Sequence, residues 1–342
     1  MSVIAAAQDA VEHVPRLGFL GVGWIGRMRM TALVRDGLAD AAAVADCDAD
    51  ARRQAAADVP GVATVRDLDA LLATGVDGIV IATPSALHAE QAVDALQHGV
   101  AVFCQKPLGR TAGETRAVVD AARRNDRLLA VDLSYRHLRA AVAAREAIQR
   151  GDLGDVYAAD LVFHNAYGPD KPWFTQRRLS GGGCLIDLGT HLVDLALWLT
   201  GGRDAQVESA RLLRRGQPVS AAADSEDVED FALVQLRTDA AITARVACSW
   251  FLPVGRDCEI ACTVYGTEGA ISIHNVGGSF YDFVAHRHHG TASEQLTEPP
   301  DEWGPRAIAA WASALAGGAG FDPDAEMLVT LARILDEVYA AA

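Results

Sequence analysis

The sequence predicts an α/β fold in two domains: a parallel sheet interleaved with helices, then an α+β domain built on a large, mainly antiparallel sheet. Three observations predict it. Short apolar runs alternate with helical stretches from residue 16 to about 132, the pattern of βαβ units. Glycines spaced G-x-G-x-x-G follow the first of those runs directly. From residue 154 onward, long strand-like segments succeed one another across short turns, which implies antiparallel pairing. A chain of 342 residues has room for two domains. The expected division is an N-terminal extension over 1–14, a first domain over 15–134 and a second over 135–342.

The elements follow in order. Residues 16–20 read as a strand, 24–35 as a helix, 42–45 as a strand and 49–57 as a helix. Apolar runs at 77–82, 100–104 and 128–131 are strands separated by helices near 85–98 and 112–125. A helix over 138–150 leads into the second domain. There a strand at 154–167 precedes a loop rich in glycine and aromatics and an apolar helix over 185–199. Strands are expected at 205–213, 226–236, 240–251, 258–265 and 269–274. Two closing helices, 305–315 and 323–339, each open on a proline, which suits a first turn.

Composition narrows the function classes. Half the residues are hydrophobic and 22% charged, as in ordinary globular proteins. A net charge of −15 argues against nucleic-acid and anionic-membrane partners and is compatible with a cationic small molecule. No uninterrupted apolar run approaches the roughly 18 residues of a membrane span, and the first fourteen residues lack the basic start of a secretory signal. The six cysteines form no CxxC pair and read as free, mostly buried thiols, so a reducing cytoplasm is expected. No Cys/His cluster has zinc-site spacing. His286-Arg287-His288-His289 reads as an exposed turn, and no metal is expected. Only Lys106 and Lys171 are lysines among 30 basic residues. A chain that otherwise uses arginine keeps lysine where a compact, titratable ammonium matters.

The glycine motif is Gly21-Val22-Gly23-Trp24-Ile25-Gly26, between strand and helix. Gly21 permits the tight turn, Gly23 the approach of a pyrophosphate and Gly26 the packing of helix on strand. Backbone N–H groups at Trp24 and Ile25 open the helix toward the phosphates. Asp46, twenty residues past Gly26, ends the second strand where an acid accepts from the adenosine ribose. No basic residue follows closely, and Arg52 and Arg53 are expected to face solvent. NAD is therefore favoured over NADP.

Three further segments complete a set: Ala82-Thr83-Pro84 with His88; Gln105-Lys106-Pro107; and Gly181-Gly182-Gly183 running through Asp187 and His191 to Asp194. Together with the glycine motif, and in this order from Arg16 to the C-terminus, they resemble the glucose-fructose oxidoreductase / inositol dehydrogenase / rhizopine-catabolism (Gfo/Idh/MocA) oxidoreductase family. The resemblance implies a Rossmann domain followed by an open-faced sheet domain, and activity on sugars, cyclitols and their derivatives. It implies that Lys106 is the lysine of a Glu-Lys-Pro motif, that Asp187 and His191 are catalytic, and that Thr83 and Pro84 border the nicotinamide. It also implies a homodimer or homotetramer and a cis Lys106–Pro107 bond. Gln105 departs from the family's Glu.

The residues support this reading independently. Asp187, His191 and Asp194, at i, i+4 and i+7, share one face of a helix otherwise apolar, and ionisable groups there are buried or line a cleft. His191 is expected to act as general base toward a hydroxyl, Lys106 to stabilise the oxygen, and Asp187 to orient the hydroxyl or His191. Thr83, Pro84, His88 and Gln105 are expected beside the cofactor. Tyr135, Arg136, Lys171, Trp173 and Asp194 are expected toward a polyol, sugar or aminosugar substrate. Two alternatives stay open: a redox-neutral NAD-dependent glycosidase-type enzyme, and a non-catalytic dinucleotide sensor.

Overall fold

The structure, a computed structural model, describes residues 13–219 and 227–342. Residues 1–12 of the expected extension and Glu226, where a strand was expected to start, lie outside them. Strands β1 (Arg16–Leu20), β2 (Asp40–Ala45), β3 (Ala63–Val65), β4 (Gly78–Ile81), β5 (Ala101–Cys104) and β6 (Leu129–Val131) form one parallel sheet, ordered β3-β2-β1-β4-β5-β6. This is a doubly wound Rossmann order whose switch point falls between β1 and β4. Both faces are covered, which is why the strands read as continuous apolar runs. Leu17, Phe19, Val80 and Phe103 pack toward α1 (Trp24–Arg35) and α2 (Ala49–Asp58). Past the short α3 (Leu68–Leu72), the opposite face, with Ile79, Ile81 and Val102, packs on α4 (Ser85–Gln97) and α5 (Ala112–Asn125). β3 and α3 were not foreseen: three and five residues are too few to show a period.

After α6 (Arg139–Gln149) the chain enters a nine-stranded sheet. Its strands are β7 (Val156–Asn165), β8 (Ala205–Arg214), β9 (Gln217–Pro218), β10 (Phe231–Thr238), β11 (Thr243–Ser249), β12 (Cys258–Gly266), β13 (Ala270–Asn275), β14 (Phe283–His289) and β15 (Ala292–Gln295). The order is β15-β14-β13-β12-β7-β11-β10-β8-β9, antiparallel except where β7 meets β11. One phase of the longer strands, as in Ala159, Leu161 and Phe163 of β7, is buried against helices. These are α6, the helix α8 (Thr190–Thr200) that follows the short α7 (Arg177–Ser180), and the C-terminal helix. The helix α9 (Arg306–Ala316) doubles back to the first sheet, where Trp311 lies 5.7 Å from the ring of Phe103. The last helix, α10 (Glu326–Ala341), returns to the second core through Leu331, Ile334 and Val338.

One expectation about the second sheet is corrected. The 286–289 segment is strand β14, not an exposed turn, and His286 stacks on His274 and His288 at 5.3 and 6.2 Å. Its run of polar residues hid the strand alternation. Among the described residues no three His, Cys, Asp or Glu side chains gather as a metal site. Residues 177–200 do reach the length and apolarity of a membrane span, but 89% of their most apolar window is buried inside the fold.

Candidate active site

The glycine loop is shaped by contact and by open space. Gly21 has φ 83°, and a Cβ there would lie 2.6 Å from the Ala82 carbonyl. At Gly26 a Cβ would fall 2.1 Å from the oxygen of Gly21. Nothing lies within 4 Å of a Cβ on Gly23. Helix α1 then starts at Trp24 with no side-chain cap and no acid in its first turn. Its free N–H groups and dipole suit a pyrophosphate, so these residues fit a dinucleotide. The Asp46 carboxylate, at the end of β2, accepts from Val22 N at 2.8 Å and Asp48 N at 2.9 Å. Arg52, expected to face solvent, is half-buried and donates to the Asp46 carbonyl.

His88 is placed differently from a cofactor ligand with free nitrogens. It is buried in α4, with Nδ1 2.7 Å from the Pro107 carbonyl and Nε2 2.7 Å from that of Thr83. It therefore braces Thr83 against the Lys106–Pro107 turn, whose peptide bond is cis. Burial holds its pKa below the usual imidazole range, and a neutral ring donates to one carbonyl at a time.

Lys106 follows β5 and crosses to the second domain. Its Nζ donates at 2.6 Å to Asp187 Oδ1 and at 2.6 Å to the Asp187 carbonyl. The other carboxylate oxygen, Oδ2, accepts from Trp250 Nε1 at 3.1 Å. Asp187 does not share a helical face with His191 and Asp194 as expected. Residues Leu185–Gly189 form a π-helical turn ahead of α8, and the extra residue per turn swings Asp187 toward Lys106. Glu229, missed in the sequence, holds this turn: its Oε1 accepts from Gly183 N at 3.0 Å, Leu185 N at 2.9 Å and Tyr339 OH at 2.8 Å.

Two clefts meet at Lys106. A crevice of about 710 Å³ runs from Gly23 past Thr83, Pro84 and His88 to Asp187, and Lys171 and Trp173 line its far side. A chamber of about 360 Å³ is walled by Tyr135, Asn165, His191, Tyr281 and Trp303. Trp24, Ile25, Gln105 and Lys106 belong to both. His191 stands 4.9 Å from the Tyr135 ring, and its Nδ1 is buried with no hydrogen-bond partner among the described residues. Burial, then the charge of Lys106, holds its pKa well below the usual imidazole range, so the ring is neutral near pH 7.

Arg136 and Asp194 line neither cleft. Arg136 Nε donates to Asp194 Oδ2 at 2.8 Å, and the two charges neutralise each other behind the chamber. Their expected place against substrate is thereby corrected, because a buried carboxylate takes a counter-ion where one is in reach. Lys171 is exposed beside Asp170, and Trp173 stacks on Phe174 at 3.8 Å.

Residues 15–133 match the NAD-binding Rossmann fold of an oxidoreductase family, and residues 141–272 match the GFO/IDH/MocA C-terminal domain. The fold and its crevice thus define a dinucleotide-binding oxidoreductase. More particularly, the chain belongs to the Gfo/Idh/MocA family. A relative from Amycolatopsis mediterranei, named for the oxidoreductase subunit of a UDP-kanosamine synthase, is 33% identical over 75% of this chain and 74% of its own. The rhizopine catabolism protein MocA of Rhizobium meliloti is 34% identical, over 54% of this chain and 57% of its own length. Among solved structures, a 3-ketoreductase from Actinomadura kijaniata with NADP superposes with TM-score 0.82, at 23% identity over 96% of this chain and 98% of that one. GenD2 from gentamicin A biosynthesis, solved with NAD, gives 0.79 at 25% identity over 96% and 94%.

Proposed function

We propose that the protein is an NAD-dependent dehydrogenase that oxidises a secondary hydroxyl, or reduces the ketone, of a sugar, aminosugar or cyclitol. One observation carries the reading: Lys106 Nζ, fixed 2.6 Å from Asp187 Oδ1, stands on the wall common to crevice and chamber, with His191 on the chamber side. A bound nicotinamide supplies the hydride acceptor, or donor in reduction. The chain's own residues do the rest. The Lys106 ammonium donates to the reacting oxygen and stabilises its developing charge. Asp187, held in turn by Trp250, keeps that ammonium in place. His191 lines the chamber, and its neutral ring is the form needed to receive the hydroxyl proton. Aromatic chamber walls suit the C–H faces of a ring. NAD is favoured because the Asp46 carboxylate repels a 2′-phosphate.

The test incubates protein with NAD and a panel of sugars, aminosugars and cyclitols while following near-ultraviolet absorbance. Growth of absorbance with product supports the dehydrogenase. Product without absorbance identifies redox-neutral chemistry instead, and dinucleotide binding with no product identifies a sensor. In Lys106→Met, turnover should fall at least about a hundredfold while NADH binding stays within a few-fold; full activity in that variant removes the assigned role.

A further inference from the structure

We propose that a second cavity beside the chamber, along α1, is a subsite for a cationic substituent of the substrate, so that the protein acts on an amino-bearing glycoside and not on a nucleotide sugar. This rests on the dehydrogenase reading above and narrows its substrate class. The cavity measures about 630 Å³ and lies between α1, at Met28, Thr31 and Ala32, and the segment from Pro300 to Pro305. Met28, Tyr281, Trp303 and Gly304 line both this cavity and the chamber, and Gly304 puts no side chain at the join. The chamber alone, about 360 Å³, is near the lower bound of ligand sites, roughly 300 Å³. The two together approach the upper bound, roughly 1,000 Å³. The outer wall is fixed in place. Asp301, buried, accepts from Arg139 N at 2.8 Å and Arg139 Nε at 3.2 Å, and pairs with Arg306. Trp303 Nε1 donates to the Tyr281 carbonyl at 3.0 Å, and the Tyr281 side chain stays exposed at the join.

Space defines the subsite and charge selects its occupant. Of the ionic groups that line it, Asp58 pairs with Arg27 at 3.0 Å, Arg35 with Asp36 at 2.7 Å, and Asp301 with Arg139 and Arg306. Two carboxylates remain. Among the described residues, that of Asp282 accepts only from the Ser279 hydroxyl, at 3.1 Å, and that of Glu302 has no hydrogen bond or ion pair. The charge of Glu302 reaches Arg35 at longer range, but Asp36 neutralises that guanidinium first. An ammonium in this cavity gains from both carboxylates and from the face of the Tyr281 ring. A neutral glycosyl group gains neither, and a diphosphate would meet two like charges. The net charge of −15 acts in the same direction.

Calorimetric titration of the NADH-loaded protein tests this, with turnover under NAD followed in parallel. The probes are D-glucosamine, trehalose and trehalosamine, cellobiose and the chitosan disaccharide, and UDP-glucose. At least one amino disaccharide should bind about tenfold or more tighter than its neutral counterpart and than D-glucosamine alone. Changing both free carboxylates, Asp282→Asn with Glu302→Gln, should remove roughly fivefold to thirtyfold of that affinity while NADH binding stays unchanged. Added salt should erode the native advantage in the same way. Ala32→Trp fills the cavity from the helix and should weaken the amino disaccharide at least about tenfold; the carboxylate variant decides the matter where Ala32→Trp does not fold. Equal binding of amino and neutral disaccharides, tightest binding by UDP-glucose, no binding of either amino disaccharide, or an amino preference that survives loss of both carboxylates overturns the assignment. Turnover of neutral sugars without that preference sinks this inference alone. Amino-selective binding without turnover sinks the dehydrogenase reading and leaves the subsite standing.

Discussion

Gln105 donates its side-chain amide to Asp132, the carboxylate that Arg29 neutralises beside the chamber. The residue that departs from the family's Glu-Lys-Pro motif is therefore matched to its neighbour. A glutamate at 105 would set a second carboxylate against Asp132, with a single arginine to offset both. Gln105→Glu should lower stability by about 1–3 kcal/mol at neutral pH, as read by urea denaturation. Adding Asp132→Asn should recover most of that loss, because one carboxylate again faces Arg29. Equal stability of native protein and single variant would mean that this contact does not govern the choice of residue.

Apart from β3 and α3, the sequence carried the first sheet and the glycine loop because their information is local: strand runs of four to six residues, helices long enough to show a period, and glycines at a turn. It carried Lys106, Asp187 and His191 as types in an ordered set, but not their arrangement. The π-helical turn at Leu185–Gly189 leaves no periodic trace in the letters, so Asp187 and His191 appeared to share a face when they line different clefts. Trp250 and Glu229 act on that turn across 63 and 44 residues of chain. A lone buried tryptophan just past the end of β11 and an acid in the loop before β10 carry no signal of such a partner. Arg136 and Asp194 looked available for substrate for the same reason, since neither could be seen to pair with the other.

We expect cofactor choice to turn on two side chains that oppose one another. The Asp46 carboxylate faces the glycine loop, while Arg52 folds back to the Asp46 carbonyl and brings a cation close by. Native protein should prefer NAD to NADP by about tenfold or more in kcat/KM, a difference of about 1.4 kcal/mol. Asp46→Ser should narrow that ratio, and Arg52→Ala should widen it. A native preference for NADP that Arg52→Ala abolishes would show that the arginine outweighs the acid.

Glu229 braces the π-helical turn that carries Asp187. Its carboxylate serves two backbone N–H groups and the Tyr339 hydroxyl, and Gly183 packs so tightly that a Cβ would lie 1.9 Å from the Glu229 carbonyl. Glu229→Ala leaves those buried donors unsatisfied and should cost about 2–4 kcal/mol of stability. Glu229→Gln keeps an acceptor oxygen and should cost less. At a temperature where both stay folded, kcat should fall more than KM rises, because Asp187 and Lys106 lose their alignment. A change in KM alone would place Glu229 outside the positioning of this pair.

Burial sets the acid limit of the fold. His88, His137, His164 and His191 all have pKa values lowered from 6.5, in each case chiefly by burial. Below pH 6.5 the unfolded chain therefore takes up protons that the folded chain refuses, and stability falls as pH falls toward the folded values. Each such histidine contributes a slope of up to about 1.4 kcal/mol per pH unit within its own window. Glu229, whose pKa burial raises above 4.5, works in the opposite sense and softens the loss at the acid end. Urea denaturation between about pH 7 and about pH 5 should show declining stability, and His191→Asn should make the decline shallower. An identical slope in that variant would mean that His191 takes up its proton in the folded protein over the same range as in the unfolded chain, and the lowered pKa assigned to it would be lost.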